Sequence, residues 1–430
     1  MLLFVSIVFG VLCVLGIPIA FVMGLSTVFS FIFLGDPTLS TLLPQRMYSG
    51  ITNFVMLAIP FFIMAGEVMT LSRITQDLVR LSNVLVGHLR GGLAHVAVVS
   101  CTLLAGLTGS GVADAASIST IMVPSMKEEG YDLDFSGAVI AAAAVNGPII
   151  PPSIIMVIYA SLMNVSVAGL FLAGYIPGLL IAAGLMVLIY FFSKKRNYPV
   201  HHKRSSFREV VSALKGAVIS LILPVIVIGG ILLGVFTPTE ASVVAAAYAL
   251  VVGLFIKKTL KVKDLPEIMR RTLVISSTVL FVIATSIAFG WVLSMEQIPQ
   301  KLASVIVSMG GGNFYITFLI FNLILFIAGM FLDTAISVVL LAPILIATGI
   351  QAGIHPLHLA IVVCVNLTVG LITPPLGLIL FVSCSVTKLS LDRLCKAIFP
   401  FILVEAGVCI LISYIPMISM TLPKYFGFYP

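Results

Sequence analysis

The sequence predicts an all-α polytopic membrane protein made of two inverted repeats. Each repeat carries one re-entrant helical hairpin and one discontinuous transmembrane helix. The first supporting observation is composition: the 430 residues are 60% hydrophobic and 9% charged, where a soluble domain carries about 25% charged residues. The second is a motif that occurs twice. Gly109-Ser110-Gly111-Val112-Ala113-Asp114 leads, ten residues past the aspartate, to Pro124 and then to Asn146-Gly147-Pro148-Ile149-Ile150-Pro151-Pro152. Gly329-Met330-Phe331-Leu332-Asp333 leads, ten residues past its aspartate, to Pro343 and then to Gly370-Leu371-Ile372-Thr373-Pro374-Pro375. Duplicated, interrupted apolar segments are the sequence mark of a carrier's binding site. The third observation is where the basic residues fall.

Two loops are strongly basic, one holding Lys194, Lys195, Arg196, Lys203, Arg204 and Arg208, the other Lys257, Lys258, Lys261, Lys263, Arg270 and Arg271. The positive-inside rule makes both cytoplasmic. The spans follow by counting outward from them. The apolar run Leu2 to Leu34 lacks a basic leader and reads as a retained transmembrane helix, crossing outward from a cytoplasmic N-terminus. With its outer loop it forms a unit at 1–53. The first repeat covers 54–193: a span at 54–71, a hairpin at 93–131 dipping in from the cytoplasm, a broken helix at 136–163, and a span at 167–193. Scaffold spans at 213–236 and 238–256 lie with the basic loops in 194–272. The second repeat covers 273–420: a span at 273–295, a hairpin at 313–349 dipping in from outside, a broken helix at 357–383, and a span at 397–420. The tail 421–430 is then periplasmic. Of the 23 Lys and Arg residues, only Arg46, Lys301 and Lys424 fall outside, which leaves 20 on or near the cytoplasmic side. A wrong segment count scatters them.

Residues 72–92 stand apart. Arg73, Asp77, Arg80, His88 and Arg90 interleave with apolar residues, and Leu78, Leu81 and Leu85 recur at helical spacing. This reads as an amphipathic helix at the cytoplasmic interface.

Proline pairs inside membrane helices free backbone carbonyls from helical partners, which is tolerated where those carbonyls line a wet cavity or hold an ion. Aligning the copies on the aspartates and the proline pairs matches Ser110 with Gly329, Asp114 with Asp333, Gly147 with Gly370 and Ile150 with Thr373. One sodium site is expected from Ser110, Asn146, Gly147 and Ile150, a second from Gly329, Gly370 and Thr373. Carbonyls serve at glycine and isoleucine, and Ser110 and Thr373 add hydroxyls. Asp114 and Asp333 follow the hairpin tips, as helix caps or as ligands. No Lys or Arg lies in either tip, so an anionic substrate meets helix N-termini and hydroxyls such as Ser117, Ser119 and Thr120. Glu67, Glu240 and Glu405 are further ionisable groups within apolar runs.

Other chemistries lack their residues. The six cysteines form no Cys-x-x-Cys pair, the six histidines no ligand spacing, and His201-His202 sits in a basic loop. No phosphate-binding loop, His-Glu-x-x-His or Gly-x-Ser-x-Gly motif is present, so no ATP-driven step or hydrolase is expected, and no cofactor beyond Na+ as coupling ion. Gly310-Gly311-Gly312 sits in a short outer turn without a nucleotide-binding context. The net charge of +7 resides in cytoplasmic loops, which argues against nucleic acid as a partner. A channel needs a continuous polar pore, whereas these hairpins end blind. An intramembrane enzyme using an Asp114–Asp333 dyad fits glycine tips and proline pairs less well than ion sites do.

At these motifs the chain resembles the large membrane subunit of the tripartite ATP-independent periplasmic (TRAP) transporters. The resemblance is carried by Leu57 to Glu67, Val112 to Pro124, Asn146 to Ser153, Phe236-Thr237-Pro238-Thr239-Glu240-Ala241, and Gly370 to Gly377. It implies an elevator-type carrier in a bacterial inner membrane, with the hairpins and broken helices moving against a scaffold. It implies sodium-driven import of an organic acid: a C4-dicarboxylate, sialic acid or a sugar acid. The implied partners are a small membrane (Q) subunit and a periplasmic substrate-binding protein. The glycine-rich Gly109-Ser110-Gly111 departs from the bulkier or hydroxyl residues that family members often carry beside the serine.

Overall fold

A computed structural model describes residues 2–35, 41–72, 74–198, 204–309, 313–351 and 353–428. They fold into helices, with no strand among the described residues. In chain order these are α1 (Leu2–Val14), α2 (Ile19–Phe33), α3 (Leu42–Ile51), α4 (Ala58–Leu71), α5 (Ile74–Val86), α6 (Gly92–Thr108), α7 (Gly111–Glu128), α8 (Leu133–Ala144), α9 (Ile154–Met163) and α10 (Val167–Lys195). The second half adds α11 (Phe207–Leu232), α12 (Pro238–Val251), α13 (Leu265–Met295), α14 (Ile298–Met309), α15 (Phe314–Phe331), α16 (Thr334–Gln351), α17 (Pro356–Gly370), α18 (Leu378–Thr387), α19 (Leu391–Tyr414) and α20 (Pro416–Tyr425). Arg73, His201, His202, Lys203 and the run Gly310-Gly311-Gly312 lie outside the described residues.

Six helical stretches among the described residues are long and apolar enough to cross a membrane. The hairpins are α6–α7 and α15–α16. The broken helices are α8–α9 and α17–α18, interrupted at the proline pairs, where the Pro151–Pro152 and Pro374–Pro375 peptide bonds are cis. Without N–H groups, adjacent prolines cannot continue the helical ladder, and each chain turns before resuming as a helix.

One offset relates the halves. Gly111 and Thr334 open the second hairpin helices, Glu128 and Gln351 close them, and Gly147 and Gly370 precede the breaks; each pair is 223 residues apart. The same shift carries α4 onto the end of α13, α5 onto α14, and α10 onto α19.

The two halves run in opposite directions. Glu67 near the end of α4 lies 3.9 Å from Arg271 near the start of α13, so these spans are antiparallel. Thr239 at the start of α12 donates to the Phe54 carbonyl just before α4 (2.9 Å), so α12 runs parallel to α4, as two inward spans require. Phe192 late in α10 stacks on Phe401 (6.1 Å), while Gly184 earlier in α10 faces Val404, so α10 and α19 are antiparallel. Hairpin 1 has its base at the C-terminal end of α10: Arg196 and Tyr198 both bind Asp132 at 2.7 Å. Hairpin 2 has its base at the C-terminal end of α19, where the Tyr414 hydroxyl donates to the Tyr315 carbonyl (2.8 Å). The hairpins therefore enter from opposite faces.

Four expectations change. The run Leu2 to Leu34 is not one span. Gly16 (φ +74°) and Pro18 break it, and Phe4 stacks on Phe33 at 4.3 Å, so α2 folds back along α1. Both ends of that run lie on one side, which removes the basis for a cytoplasmic N-terminus. The last crossing ends at Tyr414 rather than residue 420, because Pro416 starts the separate helix α20. The segment after 297 is not only a turn but carries α14, the partner of α5. In α5 the buried face is Ile74, Thr75, Leu78, Leu81 and Ser82, while Leu85 is exposed.

Candidate functional site

The tip of hairpin 1 follows from two residues. Gly109 takes φ +62° at the end of α6, a left-handed conformation that costs glycine little. Ser110 then caps α7, its Oγ accepting from the Ala113 N–H (3.4 Å). Asp114 lies in the first turn of α7 and is fully buried. Its Oδ1 accepts from the Thr108 hydroxyl at 2.5 Å, and its Oδ2 has no hydrogen-bond partner among the described residues.

The first break packs directly on that tip. A Cβ on Gly147 would lie 2.6 Å from the Gly111 nitrogen and 2.7 Å from Asp114 Oδ2, so only glycine fits. Asn146 is buried; its Nδ2 donates to the Thr102 hydroxyl (3.2 Å), and its Oδ1 has no partner among the described residues. The Ile150 N–H donates back to the Asn146 carbonyl (2.9 Å). The turn bonds of this break end on the carbonyls of Ala142, Ala143, Ala144 and Asn146. Those of Gly147 and Ile150 are outside that set. Gly147 thus seats on the tip that Ser110 caps, and Asn146 and Ile150 belong to the same break, beside two buried oxygens without a donor among the described residues.

Hairpin 2 is built differently. Leu332 is extended and Asp333 caps α16, its Oδ1 accepting from the Ala335 N–H (2.9 Å). Gly329, in the last turn of α15, packs on Gly370 so closely that a Cβ on Gly370 would sit 2.4 Å from the Gly329 Cα. The Thr373 hydroxyl donates to the Val369 carbonyl (3.0 Å), and its N–H donates to the Gly370 carbonyl (3.0 Å). Gly329, Gly370 and Thr373 are brought together, but the Gly370 carbonyl already holds a turn bond.

The 223-residue offset corrects the sequence alignment. It places Ser110 opposite Asp333 and Asp114 opposite Ser337, not Ser110 opposite Gly329 or Asp114 opposite Asp333. The equal aspartate-to-proline spacing misplaces the caps by four residues, one helical turn. Ser337 is fully buried, with a hydroxyl that has no partner among the described residues.

Ser117 and Ser119 are not at the tip. They lie about 10 and 13 Å further along α7 than Ser110, on opposite faces of the helix. Ser117, with Thr70, Thr75, Gln76 and Thr120, lines a recess of about 320 Å³ between α7 and the α4–α5 junction. Ser119 is buried, and its hydroxyl has no partner among the described residues. Glu240 is exposed in a capping box with Thr237, whose backbone N–H and hydroxyl both donate to its carboxylate at 2.8 Å. Glu405 is buried on α19, and neither carboxylate oxygen is bonded among the described residues.

No cluster of three His, Cys, Asp or Glu side chains suited to a metal exists among the described residues. A cation at the tips would be held by carbonyl, hydroxyl and amide oxygens, a hard set that suits sodium. Sequence reasoning missed Thr102, Thr108 and Ser337. Ser337 was within reach through the proline pairs' own offset. The threonines carried no signal, because their roles depend on helix packing.

Comparisons with known proteins show the family and the fold. Residues 6–418 match the family model described as "Tripartite ATP-independent periplasmic transporter, DctM component". The chain is 39% identical to the uncharacterised protein YgiK of Salmonella typhimurium, over 97% of this chain and 96% of that one. It is 38% identical to the C4-dicarboxylate TRAP transporter large permease protein DctM of Pseudomonas aeruginosa, over 92% of each. It is 36% identical to the sialic acid TRAP transporter large permease protein SiaM of Vibrio cholerae, over 96% of each. Among solved structures, the YdaH transporter of Alcanivorax borkumensis shares the fold, with a TM-score of 0.65 at 16% identity over 90% of this chain and 89% of that one.

Proposed function

The chain belongs to the DctM component family of tripartite ATP-independent periplasmic transporters, and from that premise we propose that it is the large permease of a sodium-coupled importer of an organic acid. It is a multi-pass inner-membrane transporter subunit rather than an enzyme. The observation that carries the proposal is the pair of glycine-tight contacts, Gly147 on Gly111 and Gly370 on Gly329, joining each hairpin tip to a helix break.

One sodium site uses Ser110 with the carbonyls of Gly147 and Ile150 and the Oδ1 of Asn146. The other uses Gly329, Gly370 and Thr373, with the Thr373 oxygen able to accept while its proton is donated. Sodium here is cargo. The substrate is a carboxylate of the kind its relatives are named for, a C4-dicarboxylate or sialic acid, or a sugar acid. It meets the hydroxyl-lined recess at Ser117, where no Lys or Arg is among the lining residues. Bound sodium supplies the positive charge that the lining lacks.

Transport proceeds by an elevator. The unit of hairpins and broken helices slides against a scaffold that includes α4, α11, α12 and α13. Opposite threading of the repeats lets each half adopt its partner's arrangement, which is alternating access. An inward-moving positive charge gains about 2.3 kcal/mol per 100 mV, so an excess of sodium over anion charge drives import. Coupling requires that substrate and sodium favour the same state. A periplasmic binding protein delivers the substrate, and a small membrane subunit completes the assembly. The basic loops face the cytoplasm and the C-terminus the periplasm.

Uptake into proteoliposomes, with the small subunit and the binding protein present, tests this. Accumulation should follow an imposed sodium gradient. Equal uptake without that gradient would refute the coupling.

A further inference from the structure

The recess beside Ser117 has a counterpart in the second half. Shifted by 223 residues, its lining residues Thr70, Gln76, Ser117 and Thr120 become Leu293, Pro299, Leu340 and Pro343, which line a cleft between α13, the start of α14 and α16. Ala116 and Ile121 likewise become Val339 and Ile344 of that cleft, so six of the seven residues lining the recess have their mates there. The inverted repeat relates the two spaces, but they are not alike. The recess measures about 320 Å³, with Thr70, Gln76 and Thr120 exposed. The cleft measures about 20 Å³, with Pro299 and Val339 buried, which leaves room for about one water. Among the described residues its lining carries a single hydroxyl, that of Ser286.

Helix packing shows the same inequality. α5 packs along α6 and touches α7 lightly, whereas its mate α14 packs along α16 and touches α15 lightly. Each hairpin thus leans on its flanking helix through a different arm. The two spaces also lie at opposite faces. Thr70 is three residues past Glu67, which meets Arg271 at the basic-loop end of α13. Leu293 stands twenty-two residues further along α13 than Arg271, about 33 Å, which matches a hydrocarbon core about 30 Å thick.

We propose that the closed cleft is the entry site for the organic acid from the face opposite the basic loops, held shut in the substrate-free chain by Leu293, Pro299, Val339, Leu340 and Pro343. Exchanging the two arrangements gives the other state: α7 closes on α5 while α16 parts from α14, and the cleft widens as the recess shuts. The residue types set which state the empty chain prefers. Closing the cleft removes apolar surface from water. Closing the recess strips water from an amide and hydroxyls that have no ligand to bond. Both effects favour the state with the cleft shut. The role as an entry site rests on the transport reading, whereas the closure of the cleft and the face it opens to do not.

The assembly with its small subunit, in liposomes of known orientation and without sodium or substrate, carries Ser117→Cys or Leu340→Cys. An impermeant maleimide is added from one side at a time. Labelling is followed peptide by peptide by mass spectrometry, so the six native cysteines stay. Ser117→Cys should label from the basic-loop side only. Leu340→Cys should label from the opposite side only, at least about tenfold more slowly. In the chain carrying both changes, prior modification at Leu340→Cys by a bulky maleimide should wedge the cleft open and prevent labelling at Ser117→Cys. Leu293→Thr with Pro299→Gln, which gives the cleft the residues of the recess, should speed labelling of Leu340→Cys severalfold. If that pair does not assemble, Leu293→Thr alone, at a half-buried position, carries the same test. Leu340→Cys labelling as fast as Ser117→Cys, or from the same side, overturns the proposal. So does continued labelling of Ser117→Cys after the wedge, or an unchanged rate in the Leu293→Thr chains. Sodium-driven uptake by the native chain reads the transport proposal separately, since its failure leaves the labelling pattern as it is.

Discussion

The tips of hairpin 1 and hairpin 2 carry the same two polar side chains in reverse order. Hairpin 1 caps its second helix with Ser110 and buries Asp114 one turn later; hairpin 2 caps with Asp333 and buries Ser337 one turn later. Serine and aspartate are near-equal N-caps, so the cap position accepts either. The position one turn in points into the protein, and there the exchange matters. Hairpin 1 seals a carboxylate against Gly147, with one oxygen bonded and the other without a partner among the described residues. Hairpin 2 holds its carboxylate at a helix end on backbone N–H groups, which is the simpler structural use. The duplicated backbone is thus shared while the chemistry at its two centres is not, and oxygen-rich ion binding is expected to be stronger at hairpin 1.

Gly370→Ala breaks the arrangement most. Its Cβ would meet the Gly329 backbone at 2.4 Å, where nothing flexible can yield. The expected cost is about 3 kcal/mol, at the top of the overpacking range, read as a large drop in thermal midpoint in detergent. Gly147→Ala meets the Gly111 nitrogen at 2.6 Å and should cost nearly as much. Normal stability in either variant would mean that the tip does not seat on the break.

The aspartates come next. Asp114→Ala leaves the Thr108 hydroxyl without its acceptor in a buried site and should cost about 1–3 kcal/mol. Asp333→Ala loses a cap and should cost about 1 kcal/mol. Asp333→Asn, which keeps a cap, should perturb hairpin closure while leaving sodium affinity intact; normal expression with lost sodium binding would make Asp333 a ligand. The double change Ser110→Asp with Asp114→Ser gives hairpin 1 the order of hairpin 2. It should fold, and it should bind sodium more weakly than the native chain.

Thr373→Ala has a smaller effect on stability than on function. Offset by 223 residues, the same position in the first break is Ile150, which has no hydroxyl. The variant should raise the sodium concentration for half-maximal uptake several-fold at unchanged protein level. Unaltered sodium activation removes Thr373 from the site.

The smallest expected effect concerns the base of hairpin 1. The Tyr198 hydroxyl, with help from Arg196, holds the Asp132 carboxyl below its usual range. A depressed carboxylate stabilises the fold above its unfolded value of about 3.9, and that contribution is lost as pH falls through the folded value. Tyr198→Phe should therefore cost less than about 1 kcal/mol at pH 7, given the exposure of the cluster, and less again at pH 2. An equal loss at both pH values would assign it to ring packing against Tyr131 instead.

Much of this molecule was set by the sequence alone. Composition required a membrane fold and the proline pairs marked the breaks, because each of these is a local property of hydration or missing N–H groups. Ser110, Gly147 and Gly370 were legible for the same reason. Tertiary structure alone decided what depends on segments distant in the chain. It folded Leu2 to Leu34 into two helices, since an apolar run reads alike as one span or two until Phe4 finds Phe33. It shifted the hairpin register by one turn, since caps are fixed by where the tip seats on Gly147 or Gly370 rather than by spacing to a proline. It also chose Thr108 and Thr102 as partners for Asp114 and Asn146, because a buried oxygen takes whichever donor packing brings within reach.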